Sequence, residues 1–280
     1  NGADYQHVMT LIATQHNKLN PTLAGYLKQK MLPTLYNGMQ KDKFPMVPYM
    51  NTIGETPEKG IIGFMETPRY ATGYTALYNT IGFVPETHML KPFNQRVQAT
   101  YKLMENMIET VHRDADEIGR LRAAAKQETL TQQDFHLNWQ LDTTKVEQIP
   151  FLGYAAKYKP SEVSGLERLY YDRKAPYSTK INYYNEFKPT TTVQKPVAYI
   201  IPFAWREVID RLKTNKVEMK QLKHDTTLQV ETYYITDYKT GQRAYEGHYL
   251  HSDVKVEKRT MPRQFLKGDY VVYLNQPANR

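Results

Sequence analysis

The sequence predicts an α/β fold: a mixed sheet flanked by helices over residues 1–128, followed by a β-rich, sandwich-like domain over residues 129–280. Three observations carry this. Val97, Tyr101, Met104, Ile108, Val111, Ala115 and Ile118 recur at alternating spacings of four and three, the period of an amphipathic helix. From Phe135 onward the texture changes to short alternating segments separated by turns such as Asp237-Tyr238-Lys239-Thr240-Gly241. Tyrosine dominates the aromatics, with 23 residues against 9 Phe and 2 Trp. An apolar ring with a polar tip suits half-wet strand faces or a Tyr-lined binding surface.

In chain order, residues 5–14 (YQHVMTLIAT) read as a strand. Asn20-Pro21-Thr22 is a helix start. The helix it opens runs from Thr22 to about Gln40 with Leu23, Leu27, Met31 and Leu35 on one face, and Pro33 inside it predicts a kink or an early stop. Residues 41–60 are rich in Pro and Gly and form a loop region with a short strand at Tyr49 to Ile53. Thr72 to Asn79 reads as a short helix, IGFVPE (81–86) as a strand, and Phe93 to Gln127 as one long helix. Strands are then expected at His136 to Leu141, Thr191 to Ile200, Leu228 to Asp237, Arg243 to His251 and Tyr270 to Leu274. One helix, Phe203 to Asn215, interrupts them.

The chain has 280 residues, and its formal net charge is +8. The basic residues are scattered among acidic neighbours, as in Lys255-Val256-Glu257-Lys258, so the charge does not point to nucleic acid. No apolar stretch has the length of a membrane span, and no signal peptide is visible. With no cysteine there are no disulfides or thiolate metal sites. A β-rich periplasmic or extracellular protein is the expected class. The opening Asn1-Gly2-Ala3 and the closing Pro277-Ala278-Asn279-Arg280 read as cuts through a longer protein.

A search for chemistry by spacing finds no complete site. None of the eight histidines begins an H-x-x-E or H-E-x-x-H pattern. His248 and His251 stand three apart in an expected strand, where they point to opposite faces. No G-x-S-x-G elbow or Gly-rich phosphate loop is present. One carboxylate stands out. Glu86 ends the apolar run Ile81 to Val84 after Pro85, where desolvation is costly unless a partner or a function compensates.

The run TPRYATGYTALYNTIGFVPETHMLKP (67–92), together with NGADYQHVMTLIATQ at the start, resembles the second half of a zinc metallocarboxypeptidase catalytic domain. The closest likeness is to the secreted bacterial branch, in which a β-domain follows the peptidase fold. It covers residues 1 to about 127 and extends, with less specificity, into LNWQLD and GLERLYYDRKAPYSTKI. The resemblance implies a carboxypeptidase-like mixed sheet and assigns Glu86 as the general base that polarises zinc-bound water and passes its proton to the leaving amine. It places a substrate-capping tyrosine at Tyr70, beside Arg69 and Tyr74, and it puts His88 where a hydrogen bond could tune Glu86. Each residue has a structural alternative: an ion pair of Glu86 with Arg69, Lys91 or Arg96, a packed Tyr70, and a satisfied core His88.

The family's H-x-x-E pair and its second zinc-binding histidine are absent from these residues, as are the Arg and Asn that clamp the substrate's terminal carboxylate. The resemblance therefore implies a peptide substrate and zinc in the full-length parent, no zinc in this chain alone, and a missing N-terminal part or a partner protein that completes the site. The competing expectation is a non-catalytic binding or assembly protein, in which a degenerate peptidase fold and a Tyr-rich β-domain hold a glycan, a peptide or a partner. The isolated chain is expected to bind no stoichiometric zinc. Elemental analysis checks this, and about one tightly held ion per chain would contradict it.

Overall fold

The computed structural model describes residues 2–279. It is a mixed α/β fold with small sheets, and it divides into two compact units: Asn1–Lys195 with Pro277–Arg280, and Pro196–Gln276.

The first unit opens with strand β1 (Met9–Ala13) and a long helix in three pieces: α1 (Pro21–Tyr26), a π turn (Leu27–Met31) and α2 (Leu32–Lys41). Asn20 caps the start, its side chain accepting from the Thr22 N–H, with Pro21 in the first helical position. Pro33 does not stop this helix. The backbone widens to i→i+5 bonding just ahead of it, with Leu32 N–H donating to Leu27 O, and this absorbs the donor that proline lacks. Leu23, Leu27, Met31 and Leu35 are buried as their spacing predicts, in a core with Met9, Leu11, Ala99 and Leu103.

Next come β2 (Val47–Pro48), β3 (Ile61–Ile62), α3 (Ala71–Ala76), β4 (Phe83–Thr87), α4 (Phe93–Arg113) and α5 (Ala115–Thr131). Strand β1 is central in a mixed sheet, parallel to β2 and antiparallel to β4. In place of the expected strand at Tyr49 to Ile53 there is a single bridge from Thr52 to Ile61, and β2 lies just before it. Four further strands complete the unit: β5 (Asp134–Leu141), β6 (Glu147–Pro160), β7 (Glu167–Tyr184) and β8 (Phe187–Gln194). β7 lies between β6 (antiparallel) and β3 (parallel), and β5 pairs with β8. A second core, with Tyr5, Val47, Met50, Ile61, Phe151 and Ile181, lies on this sheet.

The long helix expected over Phe93 to Gln127 is broken at Asp114. That carboxylate is buried. It accepts from the Tyr26 hydroxyl (2.9 Å) and from Arg113 Nε (3.0 Å), and Lys30 Nζ lies at 3.3 Å. Arg113, with Tyr26 and Lys30, holds its carboxyl well below the usual range. The break also divides the apolar stripe. Beyond it, Ile118 packs against the core. Before it, Val97, Tyr101, Met104, Ile108 and Val111 are exposed, Ile108 by 66%. The inward face of α4 is instead Ala99, Leu103 and Thr110, on the opposite side of the helix.

The second unit holds β9 (Ala198–Ile201), α6 (Arg206–Thr214), β10 (Lys220–Gln221), β11 (Thr226–Thr240), β12 (His251–Phe265) and β13 (Tyr270–Tyr273). β13 pairs with β9 and β10, while β11 and β12 form a long antiparallel hairpin. The strand expected over Arg243 to His251 is the tip of that hairpin, where Glu246 and Gly247 adopt positive φ. The strand expected over Thr191 to Ile200 is interrupted between Gln194 and Ala198, around Pro196, which has no ladder donor.

Asp114→Ala leaves Tyr26, Arg113 and Lys30 without their common acceptor. We expect a loss of about 3 kcal/mol in urea unfolding.

Candidate functional site

Glu86 sits on β4, an edge strand whose outer side pairs with no strand among the described residues. The edge position accommodates Pro85, which a central strand would not tolerate. The ladder holds the Glu86 backbone in place: Thr10 is its register partner, the Thr10 hydroxyl donates to Glu86 O (3.3 Å), and His88 N–H donates to Val8 O (2.8 Å). The Glu86 side chain is half-buried. Its charge raises the pKa of Tyr49, after burial, the larger cause.

The ion-pair alternative for Glu86 is not realised among the described residues. Lys91 donates to the Tyr5 carbonyl and lies over the Tyr154 ring at 5.3 Å. Arg96 lies over the Phe93 ring at 5.6 Å.

His88 is a buried core residue. Its Nδ1 accepts from the Leu90 N–H (3.2 Å), its Nε2 faces Asp4 Oδ1 at 3.4 Å, and its ring packs on Tyr5 with centroids 4.4 Å apart. Nδ1 is taken by Leu90 and Nε2 faces Asp4 without a hydrogen bond, and among the described residues His88 makes no tuning hydrogen bond to Glu86.

Arg69 and Tyr70 lie in the turn that leads into α3, and Tyr70 occupies its N-cap. α3 packs against β4, so the structure brings the expected capping segment to the element next to Glu86. Gly73 lets the preceding turn fold back onto α3, since a Cβ there would stand 2.1 Å from the Thr67 carbonyl oxygen. Thr14, just past β1, ties the two elements: its hydroxyl accepts from Gly82 N–H (2.8 Å) and lies near Thr75 Oγ1 (3.5 Å). Tyr70 and Tyr74 are both exposed, and the Tyr74 and Tyr78 hydroxyls are 3.2 Å apart.

Beside β4 runs a groove of about 370 Å³ lined by Thr87, Arg96, Val97, Tyr101 and Met104. It joins the edge strand to the exposed stripe of α4. Arg96 Nε is buried there with no hydrogen-bond partner among the described residues.

A larger cavity of about 550 Å³ lies on the other side of β1, walled by the π turn and α2, by β2 and by the ends of β6 and β7. His7 forms part of its floor. His7 Nε2 accepts from Leu152 N–H (3.1 Å), which leaves the proton on Nδ1 for the Pro45 carbonyl (2.9 Å). Burial, opposed by that bond, lowers the His7 pKa to about 4, and burial with the nearby Lys91 lowers that of His88 to about 4 despite Asp4.

Among the described residues, no three His, Cys, Asp or Glu side chains lie close enough together to hold a metal ion. No helix is long and apolar enough to cross a membrane. Comparison with family models, curated proteins and solved structures finds no match. Sequence reasoning missed Arg96 as an unpaired donor and missed the cavity altogether. The cavity's tyrosines, Tyr36, Tyr49 and Tyr183, come from distant segments, and the only signal was the general abundance of tyrosine.

Both histidines are neutral in the fold, while the unfolded chain takes up protons on them near pH 6.5. Stability they contribute is therefore present above pH 6.5 and is lost as the pH falls toward 4. Urea midpoints should fall between pH 6.5 and 5, above the carboxylate range, and His7→Gln with His88→Gln should flatten that slope.

Proposed function

We propose that the chain provides the general-base half of a metallocarboxypeptidase site, with Glu86 as the base. The observation behind this reading is a half-buried carboxylate, without an ion-pair partner among the described residues, held on an edge strand beside an uncovered apolar helix face. A base that takes a proton from an attacking water and delivers it to a leaving amine needs a rigid mount and an uncommitted carboxylate. The β1–β4 ladder provides the first, and the absence of an ion pair to Glu86 among the described residues provides the second.

The zinc that the resemblance implies does not find its ligands among the residues described here. In this reading another polypeptide segment holds it. That segment packs on the exposed stripe of α4, extends the sheet past β4 and offers an acceptor to Arg96 Nε. Tyr70, with Arg69 and Tyr74 on the neighbouring element, closes over the end of a peptide substrate. The same proposal includes the finer architecture, a carboxypeptidase-like sheet followed by a sandwich-like β-rich accessory part, and a periplasmic or extracellular location. The uncovered α4 face also suits the rival reading, a non-catalytic protein that binds a partner there.

The experiment is Glu86→Gln in the full-length protein that carries this chain. Gln keeps the size and hydrogen bonding and removes the base. The expected result is a drop in kcat on the order of a hundredfold or more, with KM, zinc content and melting temperature little changed. Turnover within about threefold of the parent, less than general-base catalysis normally contributes, rejects Glu86 as the base and favours the binding protein.

A further inference from the structure

The 550 Å³ cavity falls in the size range of small-molecule sites, and it does not involve Glu86. Leu11, Leu27, Leu32, Val47, Phe64 and Ile149 make most of its wall apolar. Three phenols interrupt that wall: Tyr49 just past β2, and the pair of Tyr36 from α2 and Tyr183 from β7. Neither hydroxyl of the pair has a hydrogen-bond partner among the described residues, and burial raises the pKa of both. Tyr36 adds to the upward shift of Tyr183, after burial, the larger cause. Both residues are half-buried and line the cavity, so their hydroxyls are open to a bound molecule and can hydrogen-bond polar atoms that do not belong to the chain.

The charged groups of the lining are already matched. Lys28 Nζ is 3.1 Å from Glu147 and also bonds Glu186, and His16 Nε2 is 3.1 Å from Glu186. His7 is neutral, with both ring nitrogens engaged. An anionic ligand would face Glu147, and a cationic one would face Lys28. No unmatched charge in the lining favours either.

We propose that this cavity binds an uncharged, largely apolar small molecule with one hydrogen-bonding group, which the Tyr36 and Tyr183 hydroxyls hold. The site is independent of the peptidase reading and stands or falls separately from it.

The test uses the neutral fluorophore N-phenyl-1-naphthylamine, whose single N–H can donate to a phenol oxygen. Its sulfonated relative 8-anilinonaphthalene-1-sulfonate has the same rings and adds a negative charge. The neutral dye should bind one per chain, and the sulfonate at least tenfold more weakly. Tyr36→Phe with Tyr183→Phe keeps the ring shapes and should weaken the neutral dye about tenfold, the effect of losing one hydrogen bond at the strong end of the usual range. Leu32→Trp, which fills the cavity, should abolish binding, with circular dichroism confirming the fold. If Leu32→Trp does not fold, the double Phe variant still reads the site. Met104→Glu on the exposed face of α4 should leave binding unchanged.

Four results would each overturn the proposal: no saturable one-to-one binding, equal affinity for the two dyes, unchanged affinity in the double Phe variant, or loss of binding in Met104→Glu, which would place the dye on α4.

Discussion

The first unit depends on the two-sided pairing of β1. Thr10 is buried between Val47 on one neighbour and Glu86 on the other, and the five residues of β1 register the whole sheet. Because side chains alternate along a strand, a slip of one residue would turn Glu86 to the opposite face and unseat every apolar side chain of β4. The residues flanking β1 guard against this. His7 bonds Pro45 and Leu152, Thr14 accepts from Gly82, and Gln15 Nε2 donates to Asn185 Oδ1 at 2.9 Å. The strand is short, and side chains from just outside it supply the register that its length cannot.

Two ways of holding a buried titratable group stand out in this unit. The histidines are kept neutral, and Leu152 N–H sets the tautomer of His7 as firmly as a metal ligand would. Asp114 stays charged, and three donors converge on it at the corner between α4 and α5. A neutral ring tolerates a dry setting with two partners, whereas an ionised carboxylate needs a full set. Asp4, the carboxylate that faces His88, follows the same rule, with Arg173 Nε donating to it at 2.7 Å.

Much of the first half of the fold was legible in the sequence. The buried face of the first helix follows the spacing Leu23, Leu27, Met31, Leu35, and the Asn20-Pro21 start is where the cap forms. The stripe on α4 shows the limit of that logic. Periodicity reports that a helix has an apolar face, not which body covers it, and here the small residues Ala99 and Thr110 with Leu103 turn inward while the larger side chains face out. The break at Asp114 was hidden because its cause, Tyr26 and Lys30, lies nearly ninety residues upstream. β6 and β7, the long strands of the second core, carry little strict alternation, since each is buried over only part of its length. At the candidate site, Glu86 could be singled out by its company of apolar residues. Tyr36 and Tyr183 could not, because nothing local distinguishes them from other tyrosines.

The two-faced α4 also sets how this chain behaves in solution. Eight net positive charges keep copies apart, while the stripe from Val97 to Val111 draws them together once they are close. Repulsion between surface charges reaches about 10 Å at 0.1 M salt and only about 3 Å at 1 M. Apolar attraction is not screened in this way, and it strengthens in salts such as sulfate. Ionic strength thus acts as a dial on self-association: dilute buffer favours the dispersed chain, and concentrated salt favours clustering through one helix face.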